Sequence, residues 1–321
     1  MEARDAIGAS QAAGAGSGPP RPLQAPSGRY GEKVVEGLLA LCAVLSIVTT
    51  TAIVFSLLEP SIDFFRQVSL GDFLFGTHWA PTFTPPEFGV LPIVLATMLT
   101  SFWGLTVAIP LGIGAAIYLS EYASPRVRKI VKPTLEVLAG VPTVAIGFFA
   151  LFFMRPLLED ILPFLDWTGP QAAGVAGLAV GLMIVPIIAS LSEDAMSAVP
   201  MGLREAGYGL GATKMRVATR IVFPAALSGI VASIVLATSR AVGETMIVLL
   251  AAGASPNLTL GFTESVQTMT AFIGQTATGD IATGTITYYT IFAVGLLLFL
   301  MTLILNLISI RLVRRFHEAY E

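Results

Sequence analysis

The sequence predicts an all-α integral membrane protein with six transmembrane helices. Three observations carry that expectation: a charge content far below that of soluble domains, six long apolar segments, and basic residues confined to alternate connections. Of 321 residues, 55% are hydrophobic and only 12% charged. A soluble domain is about one quarter charged, and a water-facing surface needs roughly 25–35% Lys, Arg, Glu and Asp. An ordinary soluble enzyme is therefore excluded. The net charge of −3 and the lack of a clustered basic surface argue against nucleic acid as a partner. Cys42 is the single cysteine, so no intrachain disulfide can form, and no Cys/His cluster offers a metal site.

Residues 1–29 are rich in Ala, Gly, Ser and Pro. They cannot bury enough apolar surface to fold alone, which predicts a disordered tail. The first apolar segment, about Val34 to Leu58, is too long for a signal-peptide core and has no small-residue cleavage site after it. As a helix it reaches about 37 Å, enough to cross a hydrocarbon core of about 30 Å with tilt. Five further spans follow, at roughly 90–119, 134–154, 172–191, 225–252 and 286–310. Pro92, Pro110, Pro142 and Pro186 lie within them and predict kinks, which membrane helices tolerate when neighbours re-satisfy the freed carbonyl. Gly177 and Gly181 form a Gly-x-x-x-Gly in the fourth span, a pattern that permits close helix packing.

Six spans place both termini on one side, and the positive-inside rule chooses the side. Four basic residues precede the first span, four lie between spans two and three (Arg126, Arg128, Lys129, Lys132), and four between spans four and five (Arg204, Lys214, Arg216, Arg220). Three more, Arg311, Arg314 and Arg315, follow the last span. That face is expected to be cytoplasmic. The opposite connections hold only Arg66 and Arg155, and Arg240 lies within a span. The first outer segment is aromatic (Phe64, Phe65, Phe73, Phe75, Trp79), which suits a membrane interface and predicts a short helix near 61–69. In the third, Phe262, Val266, Met269 and Ile273 have helical spacing, consistent with a short interfacial or re-entrant helix or with an ordinary loop.

The connection 192–224 carries the most specific pattern. Glu205-Ala206-Gly207-Tyr208 can close a short helix, Gly209 and Gly211 permit a tight turn, and Met215, Val217, Ala218 and Ile221 give a second amphipathic piece. Pro224 then opens the fifth span at a favoured first-turn position. A helix–turn–helix of this kind is a docking knob, with a charged rim and an apolar patch. Its residues resemble the signature of bacterial ATP-binding-cassette importer permeases: Glu-Ala-Ala, three residues, Gly, nine residues, Ile, any residue, Leu-Pro. Glu205, Ala206, Gly211, Ile221 and Pro224 match in register, while Gly207 replaces the second Ala and Phe223 the Leu. Gly207 is expected to weaken the first short helix by about 1 kcal/mol relative to Ala. Leu74-Phe75-Gly76-Thr77-His78-Trp79, Phe88-Gly89-Val90-Leu91-Pro92, Pro110-Leu111-Gly112-Ile113-Gly114 and Ser239-Arg240-Ala241-Val242-Gly243-Glu244-Thr245 are similar to the C-type permease subunits of phosphate-specific importers. The similarity covers residues 30–315.

That resemblance implies a type I, MetI-like permease fold and a half-transporter, with residues 30–315 as the permease domain and 192–224 as its cytoplasmic coupling loop. The partners it implies are a second, A-type permease subunit, a cytoplasmic ATPase dimer and an external binding protein that delivers inorganic phosphate. ATP would be hydrolysed by the ATPase, and no cofactor is expected on this chain. The Gly-rich stretch 207–214 is not a P-loop, because Lys214 is preceded by Thr213 and followed by Met215 rather than sitting in a Gly-Lys-Ser/Thr.

Arg240 and Glu244 are the sharpest chemical feature within a span. On a continuous helix from Ala225 they lie about 22 and 28 Å from the cytoplasmic face, on one side of the helix. A charge at that depth faces the bundle or a wet cavity, and a guanidinium can grip phosphate oxygens bidentately. Arg240 is the candidate pathway residue. Glu244 would hold it between anions or bridge to the sister subunit; the other reading is an ion pair that only fixes packing. Ser233 shares roughly that face, with a packing role as its alternative. Glu136 reads as a helix-start carboxylate and Asn306 as an interhelix hydrogen-bonding group. Other functional readings are an A-type sister subunit, a sulfate or molybdate permease, and an ion-coupled secondary transporter, which would show paired repeats that are not evident. A membrane-bound enzyme is more distant, since no nucleophile–base set appears.

Overall fold

A computed structural model describes residues 30–315. The expected disordered tail, 1–29, lies outside the described residues, as does His317. Among the described residues, four helices are long and apolar enough to cross a membrane, or six when two sharply bent pairs are each taken as one span.

Helix α1 (Tyr30–Phe65) runs through two compact units, which divide after Ile53. In the first unit its apolar side chains are exposed, Val34, Leu38, Leu41, Leu45 and Val48 among them. The helix outlasts the expected end at Leu58 because Phe64 has a core to join. It is fully buried, and its ring meets those of Phe65, Phe73 and Phe88 edge-on at centroid distances of 5.2–5.4 Å, a favoured aromatic geometry. The short helix expected near 61–69 is therefore displaced to α2 (Leu70–Phe75). Ser69 caps it by accepting the Asp72 amide at 3.0 Å, one of the donors a helix start leaves unpaired. Strands β1 (Trp79–Ala80) and β2 (Glu87–Phe88) pair antiparallel with Trp79 opposite Phe88.

Helix α3 (Leu91–Ile117) continues into a π-helical turn, Tyr118–Tyr122. It packs along α7 (Ala173–Ser197) at a glycine crossing. A Cβ on Gly104 would lie 2.9 Å from the Gly177 carbonyl oxygen, and one on Gly181 would lie 2.8 Å from that of Gly104. The Gly-x-x-x-Gly pattern thus marks a contact between backbones, with Gly104 as its partner. Three amides at the start of α7 are satisfied by carbonyls across the fold: Ala172 donates to Ala251, Ala173 to Glu264 and Gly174 to Phe262, at 2.8–2.9 Å. Gly174 has no room for a side chain, because the Phe262 ring occupies that space.

The expected third span, 134–154, starts later. Residues 125–139 form a separate amphipathic helix, α4 (Pro125–Ala139), capped by Ser124 and closed at Gly140. Pro142, which has no N–H to continue the ladder, begins a new helical run: α5 (Thr143–Phe149), a π turn (Ala150–Met154) and α6 (Arg155–Ile161). The two runs meet at 89°. Helix α7 also outlasts its expected end, so residues 192–197 of the expected loop are helical.

Beyond it come α8 (Met201–Gly209), α9 (Lys214–Val217), a π turn (Ala218–Val222) and α10 (Phe223–Ala225). After a bend of 72° follows α11 (Leu227–Val242). The expected fifth span, 225–252, is broken at Gly243–Thr245, and α12 (Met246–Ala251) resumes it. Helix α13 (Met269–Thr278) occupies part of the third outer segment. Phe262 and Val266 fall outside it, in an irregular stretch of chain from 253 to 268 that supplies two of the three carbonyls capping α7. Helix α14 (Ile286–Arg315) is the last among the described residues.

Candidate functional site: a broken helix and a docking loop

Helix α11 ends at Gly243, and Glu244 fills the break. One carboxylate oxygen lies 2.6 Å from Arg240 Nη1. The other accepts the amides of Met246 and Ile247 at 3.1 and 3.3 Å, so the side chain caps α12. The Glu244 carbonyl accepts from Thr270 Oγ1 at 2.6 Å, which ties the break to α13. The ion pair expected from the spacing is present, but it spans a helix end rather than lying along one helix face. The two partners differ in burial: the Glu244 side chain is 2% exposed and that of Arg240 41%. The carboxylate is buried against the backbone amides, while the Arg240 side chain is exposed.

Ser233 lies elsewhere. It is buried and shares a hydrogen bond of 2.7 Å with Ser192 of α7. Immediately before Arg240, Ser239 donates to Asn306 of α14 at 2.8 Å. Two polar pairs therefore hold α11 to α7 and to α14, and a membrane interior favours such pairing because unpaired polar groups there are costly.

The connecting loop forms the expected helix–turn–helix. Its signature residues divide into two sets. Glu205 and Ala206 are exposed on α8, whereas Gly207, Gly211, Ile221 and Pro224 shape the turn behind them. A Cβ on Gly207 would come within 2.6 Å of Ile221 Cδ1 and 3.1 Å of Val217 Cγ2, so the glycine admits the isoleucine that closes the motif. Gly211 has φ +78°, a conformation that costs a side-chain-bearing residue about 1–2 kcal/mol. Pro224 sits in α10, just before the bend, rather than at the start of the span itself. At the tip Leu210 is 90% exposed, and Met201, Tyr208 and Met215 are exposed beside it. Beneath lies a small apolar core of Ala116, Met196, Val199, Val217, Val222, Ala226 and Ile230.

Two ionic clusters near this loop escape a reading of the chain in sequence order. Glu193, fully buried at the end of α7, pairs with Arg128 and Lys132 of α4, and Lys132 also pairs with Asp194. The signal was present as two cations spaced i,i+4 and two adjacent acids, each next to an apolar span. Burial by itself lowers the Lys132 pKa, but hydrogen bonds to Asp194 and Glu193 and their charges outweigh it and raise the value above 10.5. The second cluster joins Arg204 of α8 to Glu121 of the π turn after α3, with side chains 9% and 5% exposed. Glu136 is exposed on α4. At the opposite end Arg155 donates to Glu159 at 2.8 Å and to the Gly169 carbonyl at 2.7 Å, with its guanidinium 4.1 Å from the Trp167 ring centroid.

Residues 108–319 match the family described as "Binding-protein-dependent transport system inner membrane component". The probable ABC transporter permease protein YqgH of Bacillus subtilis is 30% identical over 84% of this chain and 87% of its own length. The phosphate transport system permease protein PstC of Pasteurella multocida is 31% identical over 93% of this chain and 98% of its own. Among solved structures, a chain of the bacterial alginate ABC transporter in complex with alginate pentasaccharide-bound periplasmic protein superposes with TM-score 0.61. It is 15% identical and covers 90% of this chain and 98% of that one. A chain of the MetNI methionine ABC transporter superposes with TM-score 0.52 at 20% identity, covering 72% of this chain and 95% of that one. At these identities the two superpositions show a shared fold, the all-α MetI-like permease fold.

Proposed function

The chain belongs to the family of binding-protein-dependent transport system inner membrane components, and from that premise we propose that it is the C-type permease subunit of an ATP-driven phosphate importer. It forms half of the pathway, beside a second permease subunit. Its cytoplasmic knob, presenting Glu205, Ala206 and Leu210, docks on a partner ATPase dimer, and an extracytoplasmic binding protein hands over the anion. Hydrolysis of ATP belongs to the partner. Both termini lie in the cytoplasm.

The observation that carries the anion's place in this reading is the broken helix at Glu244. A carboxylate held by Met246 and Ile247 keeps Arg240 at the break without burying it, since the Arg240 side chain stays 41% exposed. A phosphate oxygen competes with Glu244 for the same N–H donors, so the anion is held briefly and released. Conduction needs a site weak enough to leave. Ser233, bonded to Ser192, is a packing residue in this scheme rather than a pathway ligand. Phosphate as cargo rests on the relatives of that name.

The test is reconstitution of the co-purified complex in liposomes. ATP-dependent uptake of labelled phosphate, competed poorly by sulfate, supports the reading. Preferential uptake of sulfate or molybdate overturns the cargo. Uptake without ATP, driven by an ion gradient, overturns the importer.

A further inference from the structure

Arg204 stands one residue before the exposed Glu205, yet it points the opposite way. Its Nη2 and Nε lie 3.1 and 3.3 Å from a single oxygen of Glu121. Nη2 also donates to the Met196 carbonyl at 2.8 Å, and Nη1 donates to the Val199 carbonyl. One guanidinium thus binds the docking helix α8, the end of α3 and the end of α7. Ser120 Oγ donates to the same Glu121 oxygen at 3.1 Å. A second contact falls on the same π turn: Lys214 Nζ of α9 lies 5.1 Å from the Tyr122 ring centroid. Both arms of the knob therefore rest on Tyr118–Tyr122.

A buried ion pair is weak ground for stability, because desolvation offsets its attraction. What it supplies is direction. An apolar contact between α8 and α3 could slide, whereas a guanidinium fork bonded to a carboxylate and two carbonyls fixes distance and angle together. Lysine could hold the carboxylate but not all of these acceptors in their fixed plane. The π turn places Glu121 there with an extra residue in the winding, and such turns recur at functional sites. Beyond the turn, α3 and α7 are in direct backbone contact, with Gly104 against the Gly177 and Gly181 backbones. Helix α7 in turn holds α11 through Ser192 and Ser233.

We propose that Arg204 and Glu121 form the strut that transmits movement of the docking loop to the paired helices α3 and α7. Arg204 is a positioning residue and touches neither anion nor nucleotide. The proposal deepens the importer reading and rests on it.

The test uses the reconstituted complex with Glu121→Gln, Arg204→Gln, Arg204→Lys, and the exchanged pair Glu121→Arg/Arg204→Glu. Two quantities are read: ATPase retained on the purified complex, and ATP hydrolysed per anion imported. The strut requires that Glu121→Gln and Arg204→Gln retain the ATPase while ATP per anion rises about tenfold. Arg204→Lys should restore part of the coupling. Should Arg204→Gln fail to assemble, Glu121→Gln, which keeps the side-chain volume, carries the measurement. An unchanged ratio in the assembled variants overturns the strut, as does a parallel fall of hydrolysis and uptake. A wild-type complex with no ATP-dependent uptake would instead overturn the importer reading, so the two failures are distinct.

Discussion

Glu244 holds Arg240 at a break between two helices. The carboxylate lies 2.6 Å from the guanidinium at the end of α11 and accepts two amides at the start of α12. One carboxylate thereby both caps α12 and pairs with Arg240, and the two roles separate by substitution.

Glu244→Gln keeps an acceptor for the Met246 and Ile247 amides and removes the charge. It should leave the fold intact and lengthen anion residence at Arg240, lowering the uptake rate. Glu244→Ala removes the cap as well and should destabilise the chain by about 1–2 kcal/mol. Thermal unfolding of the purified complex, read beside uptake, separates the two variants.

Arg240→Gln should cut ATP-dependent phosphate uptake by about tenfold or more, the loss of one charge-assisted contact worth roughly 1.5–3 kcal/mol. Retention of the ATPase should not change, since Arg240 is remote in sequence and contact from the docking loop. Undiminished uptake would reduce the pair to a packing device.

Substitution on the knob should separate presentation from construction. Glu205→Arg reverses an exposed charge and should abolish ATPase co-purification with the chain still inserted and folded. Gly211→Val forces a β-branched residue into φ +78° and should cost about 1–2 kcal/mol, loosening the turn itself. A pull-down paired with limited proteolysis of residues 198–224 distinguishes them, because only Gly211→Val should add cleavage sites.

The α4–α7 clamp should respond to alkali. The Lys132 pKa is raised above 10.5, so its contribution to stability is fully present below that unfolded-state value. It is lost as pH climbs through the higher folded-state value. Melting temperature should therefore show no loss from Lys132 between neutral pH and pH 9 (roughly where lysine is still fully charged). Lys132→Met should abolish the part of the alkaline destabilisation that belongs to this residue.

Gly104→Val should separate α3 from α7. Its Cβ alone would approach the Gly177 carbonyl oxygen to 2.9 Å, and backbone cannot yield as a side-chain tip can. A cost of about 1–3 kcal/mol is expected, measurable as a lower melting temperature of the complex. Gly114→Ala, with nothing within 4 Å of its Cβ, is the control and should cost nothing or stabilise by up to about 1 kcal/mol.

By itself the sequence determined the class and most of the signature. Apolar runs of span length report helices because a bilayer leaves the backbone no other way to pair its polar groups. The Glu205–Pro224 pattern was legible because its spacing is local, and so was the Arg240–Glu244 spacing. Only the tertiary structure decided where helices break and which charges meet. Gly140–Pro142 turns the chain by 89°, and Gly243–Thr245 interrupts the expected fifth span beside its two charges, Arg240 and Glu244. A hydropathy reading carries no register for such breaks, since Gly and Thr are ordinary within membrane helices. Arg204–Glu121 and the Glu193 cluster pair residues 83 and 61–65 positions apart. Such partners are chosen by which helix ends packing brings together, and the glycine crossing of α3 and α7 makes that choice here.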